Sequence, residues 1–362
     1  MRIFNLVTAA LFFLCLATTE VALASRATNL VMGSGDAGLF LSPSGALGTQ
    51  TGSFGSLFFE DEYNMFYNPA HINEINDWVI IEKSNYSYTS QDTGQIVGQS
   101  AQGGFVLAFL NYRASLFFNR VAGIADYHNA SNMRPFDFTL GADLGVPFGL
   151  GVSYASYTDG GHTDQDLNLR LGAKVESFEP FGWYKIIGKQ ETTNPGRRFR
   201  EWAMGLKYHY GEWKPYAAYR YSHSESNDSV FGIGIGRSSR VSEAVKFHYN
   251  VAFWRNRNAN ESIVPFDIAA EANATSWLVL RGGLGYRFMD REGDSSREVD
   301  GTSGRFGATF KFNSVELDTA IGSNVSSTTV AAKDEIDSTA DSQVFGVGSD
   351  SFFTAASLSY SW

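Results

Sequence analysis

From about Asp77 to its last residue the chain alternates. In Leu278–Phe288, Leu278, Leu280, Leu284, Tyr286 and Phe288 share one parity and Arg281, Gly283, Gly285 and Arg287 the other. Trp202, Met204, Leu206, Tyr208 and Tyr210 oppose Lys207 and His209; Val245, Phe247, Tyr249, Val251 and Phe253 oppose Lys246, His248 and Asn250. Phe306, Ala308, Phe310 and Phe312 oppose Arg305, Thr309 and Lys311, and Leu167, Leu169, Leu171 and Val175 oppose Asn168, Arg170 and Lys174. A period of two over eight to twelve residues, with turn signals between, predicts strands with one apolar and one polar face. The predicted strands are 78–89, 103–110, 112–120, 136–144, 149–158, 166–176, 179–189, 201–210, 213–222, 230–237, 242–254, 264–274, 278–288, 302–312, 315–322 and 352–362. That makes sixteen, or fourteen if the pair at 166–189 does not form.

Three features turn this all-β pattern into a transmembrane antiparallel up-and-down barrel rather than a sandwich. The polar faces mix full charges with glycines, as a crowded or wet lumen does. Aromatic residues gather at segment ends, with Trp213, Trp277 and Trp362 at one end and Tyr221, Trp254 and Phe288 at the other, the pattern of an interfacial girdle. Connections alternate between short turns and long polar loops, the latter at about 90–103, 120–135, 158–165, 190–200, 223–230, 255–263, 289–301 and 323–351. In hydrocarbon every backbone N–H and C=O needs a protein partner, so the sheet has to close and the last strand has to meet the first. The chain ends "FFTAASLSYSW", and Leu358, Tyr360 and Trp362 lie on its lipid parity. This ending resembles the C-terminal signal of bacterial outer-membrane proteins, which the barrel-insertion machinery reads.

Composition narrows the class. The chain has 362 residues, 15% aromatic and only 18% charged, with a formal charge of −10. An acidic chain without a basic stripe has no counterion-releasing surface, which argues against nucleic acid. Arg2, an apolar run from about Leu6 to Ala17 and the small-x-small triplet Ala22-Leu23-Ala24 predict a cleaved secretory signal over 1–24. The single cysteine, Cys15, falls inside that signal, so the exported chain is expected to carry neither disulfide nor thiolate.

Residues 25–77 break the strand rhythm and are expected to form a plug ahead of a barrel over 78–362, the alternative being a loose tether in which Asn68-Pro69 is a loop turn before the first strand. Pro69 drives Asn68 out of the helical region, and Asn at an N-cap with Pro after it reads as a short helical start. The stretch Glu60-Asp61-Glu62, Phe66-Tyr67 and Asn68-Pro69-Ala70 resembles the N-terminal region of the FadL family of long-chain fatty acid transporters of the outer membrane. The resemblance covers about fifteen positions. It implies a hatch in the lumen and passage of hydrophobic or amphipathic small molecules; the family's fourteen strands differ from the sixteen counted here.

No motif supplies chemistry. Gly33–Gly38 fits G-x-G-x-x-G without the strand and helix a dinucleotide site needs. The six histidines show no metal-ligand spacing. No catalytic residue, cofactor or metal is assigned. Candidate inward charges are Arg170, Lys174, Lys207, Arg220, Lys246, Asp267, Glu271, Arg281, Arg287, Arg305, Lys311, Glu316 and Asp318, with Asp137 and Asp143. They set either a transverse field across a pore or neighbouring-strand pairs that neutralise each other, such as Asp267 or Glu271 with Arg281 and Glu316 or Asp318 with Lys311. Expected partners are outer-membrane lipids and lipopolysaccharide, the insertion machinery and a small permeant. The readings are a conduit for hydrophobic or amphipathic molecules, a general porin for polar solutes, and a surface barrel with a blocked lumen.

Overall fold

Alternation becomes seventeen strand segments in one antiparallel sheet. The computed structural model describes residues 25–33, 55–90, 94–120, 133–192, 195–223, 227–257, 260–291, 301–323 and 352–362. The segments are β1 (Trp78–Ser90), β2 (Gly94–Phe109), β3 (Tyr112–Phe118), β4 (Phe136–Asp143), β5 (Pro147–Asp159), β6 (His162–Ala173), β7 (Phe178–Gln190), β8 (Arg197–Arg198), β9 (Arg200–Tyr208), β10 (Trp213–His223), β11 (Asn227–Arg240), β12 (Val245–Asn256), β13 (Glu261–Thr275), β14 (Leu278–Arg291), β15 (Gly301–Phe312), β16 (Val315–Ser323) and β17 (Phe352–Ser361). Both β8 and β9 pair with β7 and form one stave interrupted at Phe199, so the barrel has 16 staves. The first and last strands close it, in register from Trp78↔Ser361 to Tyr86↔Phe353.

The two faces are inverted relative to a water-soluble protein. Ile81, Phe109, Met204, Leu284, Phe306 and Leu358 are exposed, whereas Glu82, Lys207, Arg281, Arg305 and Asp318 are buried. Apolar side chains outside and charges inside a closed sheet suit a cylinder whose outer solvent is hydrocarbon. Trp213, Trp277 and Trp362 are exposed beside the short turns, and the Arg237 guanidinium stacks 5.1 Å from the Trp213 ring centre.

Two expectations change. Trp254 is fully buried and packs against Tyr216 at 6.1 Å instead of joining a girdle. In β12 the odd positions face lipid, so residue 254 shares the inward parity of His248, Asn250 and Ala252. The long loops placed at 90–103 and 158–165 are mostly strand. Pairing of β1 with β2 runs on to Ser90↔Gly94, because backbone bonds outlast apolar alternation once a hairpin leaves the hydrocarbon. Strands β5 and β6 are joined by Gly160 and Gly161, both at positive φ (56° and 84°), the two-residue turn that matches strand twist. The expected loop centres at 121–132, 292–300 and 324–351 lie outside the described residues.

Helix α1 (Arg26–Met32) and two short 3-10 helices, Glu62–Phe66 and Pro69–Glu74, precede the barrel. Helix α1 meets β13 to β17, while the Pro69–Glu74 turn meets β3 to β6. Together these contacts reach the charged faces of β3 to β6 and of β13 to β17.

Candidate functional site

Asn68 has extended backbone (φ −122°, ψ 98°) and caps the Pro69–Glu74 turn, its side chain accepting from the Ala70 N–H at 3.1 Å. Its Nδ2 donates to the Ala173 carbonyl at 3.4 Å, and Asn73 Nδ2 donates to the Phe148 carbonyl at 3.0 Å. Glycines on the wall make room for this turn. A Cβ at Gly149 would overlap the Pro69 carbonyl, one at Gly172 the Asn68 side chain, and one at Gly141 Ile72. The Asn-Pro-Ala turn thus seats directly against the backbones of β4, β5 and β6.

Aromatic residues carry the turn's apolar contacts. Phe66 meets Phe117 edge to face at 5.0 Å and Tyr67 meets Phe181 the same way at 5.0 Å, a geometry that adds to area burial. The Arg120 guanidinium lies 3.7 Å above the Phe66 ring.

A charge network surrounds these rings. Lys207, fully buried, donates to Tyr67 OH at 2.8 Å and reaches Glu60 at 3.1 Å and Glu179 at 3.0 Å. Lys214 holds Glu60 at 2.9 Å, and Lys174 holds Glu74 at 2.7 Å and Glu179 at 3.3 Å. His71 and His209 sit 3.0 and 2.7 Å from Glu179. Desolvation raises the Glu60 carboxyl, but Lys207 and Lys214 outweigh it and hold the group well below its ordinary value. Desolvation lowers His71, yet the Glu179 bond and charge leave it raised. Asp61 is pushed up to about 7, chiefly by burial, with the neighbouring Glu60 charge adding to it and a bond from Asn29 opposing. Ligand atoms of Glu60, His71 and Glu179 converge within 4.8 Å. Lys207 already bridges both carboxylates, so this cluster is neutralised by ammonium groups and has no deficit for a metal to fill.

The inward charges named from sequence are distributed as follows. Arg170 pairs with Asp137, Arg281 with Glu271 at 2.8 Å, and Arg305 with Asp267 at 2.7 Å. Asp267 bypasses Arg281 because its register partner on β14 is Gly285; with no side chain there, Arg305 reaches across. Asp318 accepts from Thr309 and lies 3.7 Å from Arg281 rather than joining Lys311. Lys311 is half-buried opposite Glu316 in register. Lys246 is part-exposed, 3.7 Å from Glu271, and Arg220, Arg287 and Glu316 are buried. Asp143 is exposed at a strand end. Sequence reasoning missed Glu82, Glu179, Lys185, Glu201 and Lys214. In β7 the apolar residues occupy both parities, with Phe181 and Trp183 inward and Tyr184 and Ile186 outward, so alternation alone did not mark Glu179 and Lys185.

A cavity of about 280 Å³ remains between α1, the two turns and the β12–β14 wall. Met32, Phe59 and Ile75 give it an apolar side; Glu74, Lys246 and Arg281 give it a charged one. His248 stands between them, 5.8 Å from the Phe59 ring and 2.9 Å from Ser238 Oγ.

No protein-family model matches the chain, and no curated protein matches it. Solved structures do. A bacterial polysaccharide outer membrane secretin aligns with a TM-score of 0.54 at 8% identity, over 79% of this chain and 98% of that one. CdiB from Acinetobacter baumannii aligns with a TM-score of 0.48 at 12% identity, over 78% of this chain; the chain spans only 60% of CdiB's length. A Pseudomonas aeruginosa FadL homologue gives a TM-score of 0.45 at 10% identity, over 88% of this chain and 98% of that one. With its closed sheet, apolar exterior and charged interior, the protein has the fold of an outer-membrane β-barrel.

Proposed function

We propose that this barrel is a passive outer-membrane conduit for small amphipathic molecules, with residues 25–77 as the hatch. The observation that carries the reading is how the hatch is held. Its wall contacts add hydrogen bonds, ion pairs and edge-to-face rings on a glycine-lined wall to the apolar packing of Met65, Ile72 and Ile75, and an amphipathic cavity of about 280 Å³ adjoins it. Polar contacts of this kind exchange for water bonds when a hatch shifts, whereas a closed apolar core resists opening. The cavity, apolar on one side and charged on the other, suits a molecule with a short apolar body and a polar head. Diffusion past the hatch needs no covalent step.

The full burial of Trp78, Trp254, Tyr63, Tyr67, Phe66 and Phe117 favours a second reading, a barrel whose lumen is permanently filled. Conductance in planar bilayers separates them. The intact protein is expected to give small or no steady current, and deletion of 25–77 a conductance larger by at least about tenfold, as a side-chain-lined pore of this strand number opens to water. A large steady current from the intact protein overturns the hatch. No current after deletion overturns any conduit.

A further inference from the structure

Ser25 follows the Ala22-Leu23-Ala24 triplet and is fully buried. Its Oγ accepts from the Thr28 N–H at 3.2 Å and its carbonyl from the Asn29 N–H at 2.9 Å. One residue on, the Arg26 N–H donates to Glu82 Oε1 at 2.7 Å. The Ser25 side chain also lies close enough to act on the Asp318 carboxyl. The registers Glu82↔Ser357 and Ser357↔Asp318 set these two carboxylates on either side of Ser357, on β1 and β16, and they are only 2% and 1% exposed. Among the described residues, the donors to Glu82 are the Arg26 N–H, Tyr63 OH, Gln102 Nε2 and Ser357 Oγ, all uncharged. Asp318 shares Arg281 with Glu271, and its Oδ2 is buried without a hydrogen-bond partner. Asp318 thus has a share of Arg281 and Glu82 has the Arg26 side chain only at a distance, through Tyr63, so the pair of buried carboxylates has place for a further cation.

We propose that the leader is removed at the Ala24–Ser25 bond and that the freed α-ammonium of Ser25 is the cation Glu82 and Asp318 hold, so that processing completes the seat of α1. Hydrolysis by a signal peptidase adds one water across the bond. The carboxylate leaves with residues 1–24 and keeps the water's oxygen, and the nitrogen stays on Ser25 and takes up both of the water's protons. Before cleavage that nitrogen is a neutral amide with a single N–H and a chain attached. Afterwards it offers three donors and a full charge, and it lies about 3.7 Å from the Arg26 nitrogen already bonded to Glu82, one extended residue back along the chain. An α-amine of ordinary pKa, about 7.7–8.0, is charged at neutral pH. The buried Arg26 side chain, within electrostatic reach of Tyr63, is the competing cation, and labelling of the α-amine distinguishes the two.

The test uses the exported full-length mature protein in detergent, with heat-shifted gel migration as the check that the barrel is folded. Terminal sequencing is expected to read Ser25 first. Reductive methylation with formaldehyde at pH 7, read by peptide mass spectrometry, is expected to modify the Ser25 amine at least about tenfold more slowly in the folded protein than in denaturant, as a group released only by local opening does. Glu82→Gln and Asp318→Asn, made separately because either alone disturbs the barrel, are each expected to restore most of the rate. A different mature terminus, equal rates folded and unfolded, or protection unchanged in both variants overturns the proposal. In a chain refolded with an acetylated Ala24 retained, deuterium exchange over 26–32 is expected to rise by about tenfold; unchanged exchange overturns the coupling to α1. None of these readouts is a conductance, so the conduit reading and this one fail separately.

Discussion

The N-terminal segment is held at two places by two kinds of force. Between Phe59 and Ile75 it meets the wall through apolar packing of Met65, Phe66, Ile72 and Ile75 and, in addition, through a charge network of Glu60, His71 and Glu74 with Lys174, Lys207, Lys214 and Glu179. Helix α1 instead lays Ala27, Leu30 and Val31 on Ala320, Phe353 and Ala355, where small wall residues let the helix approach. At Gly283 a Cβ would overlap the Val31 carbonyl. Its polar attachment is concentrated at one end, on Glu82. An anchor made of coupled ion pairs responds to charge and pH, while one made of apolar fit responds to shape. Under the proposed conduit, residues 59–75 are the part of the hatch that shifts and α1 is the part that holds it to the wall.

The comparison breaks most sharply at Lys207. Lys207→Met leaves Glu60 and Glu179 short of a buried partner and is expected to cost about 3 kcal/mol. Amide exchange over 60–75 should accelerate while exchange over 26–32 stays as it was; equal acceleration in both would remove the distinction between the anchors.

A smaller effect is expected from shape. Gly149→Val pushes into Pro69 and should cost about 1–3 kcal/mol of hatch docking, seen as frequent opening events in single-channel records. Silence in those records would mean that the turn can retreat without freeing a path.

The smallest and most graded effect is that of pH. His71 is raised from 6.5, so its bond to Glu179 contributes fully below pH 6.5 and is lost as pH rises through the raised value. Asp61, moved from 3.8 to about 7, keeps in the folded state a proton the unfolded chain gives up, so stability declines between those two values. Glu60 and Glu74 are lowered from 4.5; their contributions are present above pH 4.5 and lost as pH falls through the depressed values. Docking of 59–75 is therefore expected to be tightest near pH 5 and looser toward pH 8. Helix α1, whose only titratable side chain is Arg26 and whose link to Asp61 is through Asn29 alone, should show protection factors, corrected for intrinsic exchange, that change less between pH 5 and 7 than those of 59–75. Asp61→Asn should remove part of the slope, measurable as exchange over 59–75 against pH; an unchanged slope would assign it to His71 alone.

Much of the barrel was legible in the residues. The sixteen staves and their faces follow from period-two alternation, because a sheet facing lipid on one side and a polar lumen on the other obliges side chains to alternate. Closure followed too, since an edge cannot persist in hydrocarbon. Loop lengths were read less well. In residues 94–100 the only large apolar side chains, Ile96 and Val97, are consecutive and fall on opposite parities, so no period of two marks a strand that continues beyond the membrane. Trp254 was misassigned because its type suggested an interface while its parity turned it inward. Of the site, Asn68 and Pro69 announced a capped turn locally. Glu179, the residue that gathers His71, His209, Lys174 and Lys207, was hidden in a strand whose two faces are both apolar.

The sequence by itself determined which side chains face lipid and which face the lumen, because parity along a strand is a local property of the backbone. Which inward charge meets which was decided only by the tertiary structure. Register sets Gly285 opposite Asp267 and so sends it to Arg305, and closure brings Glu82 beside Asp318, residues more than two hundred positions apart. Such meetings depend on the geometry of a closed ring, which no stretch of chain encodes alone.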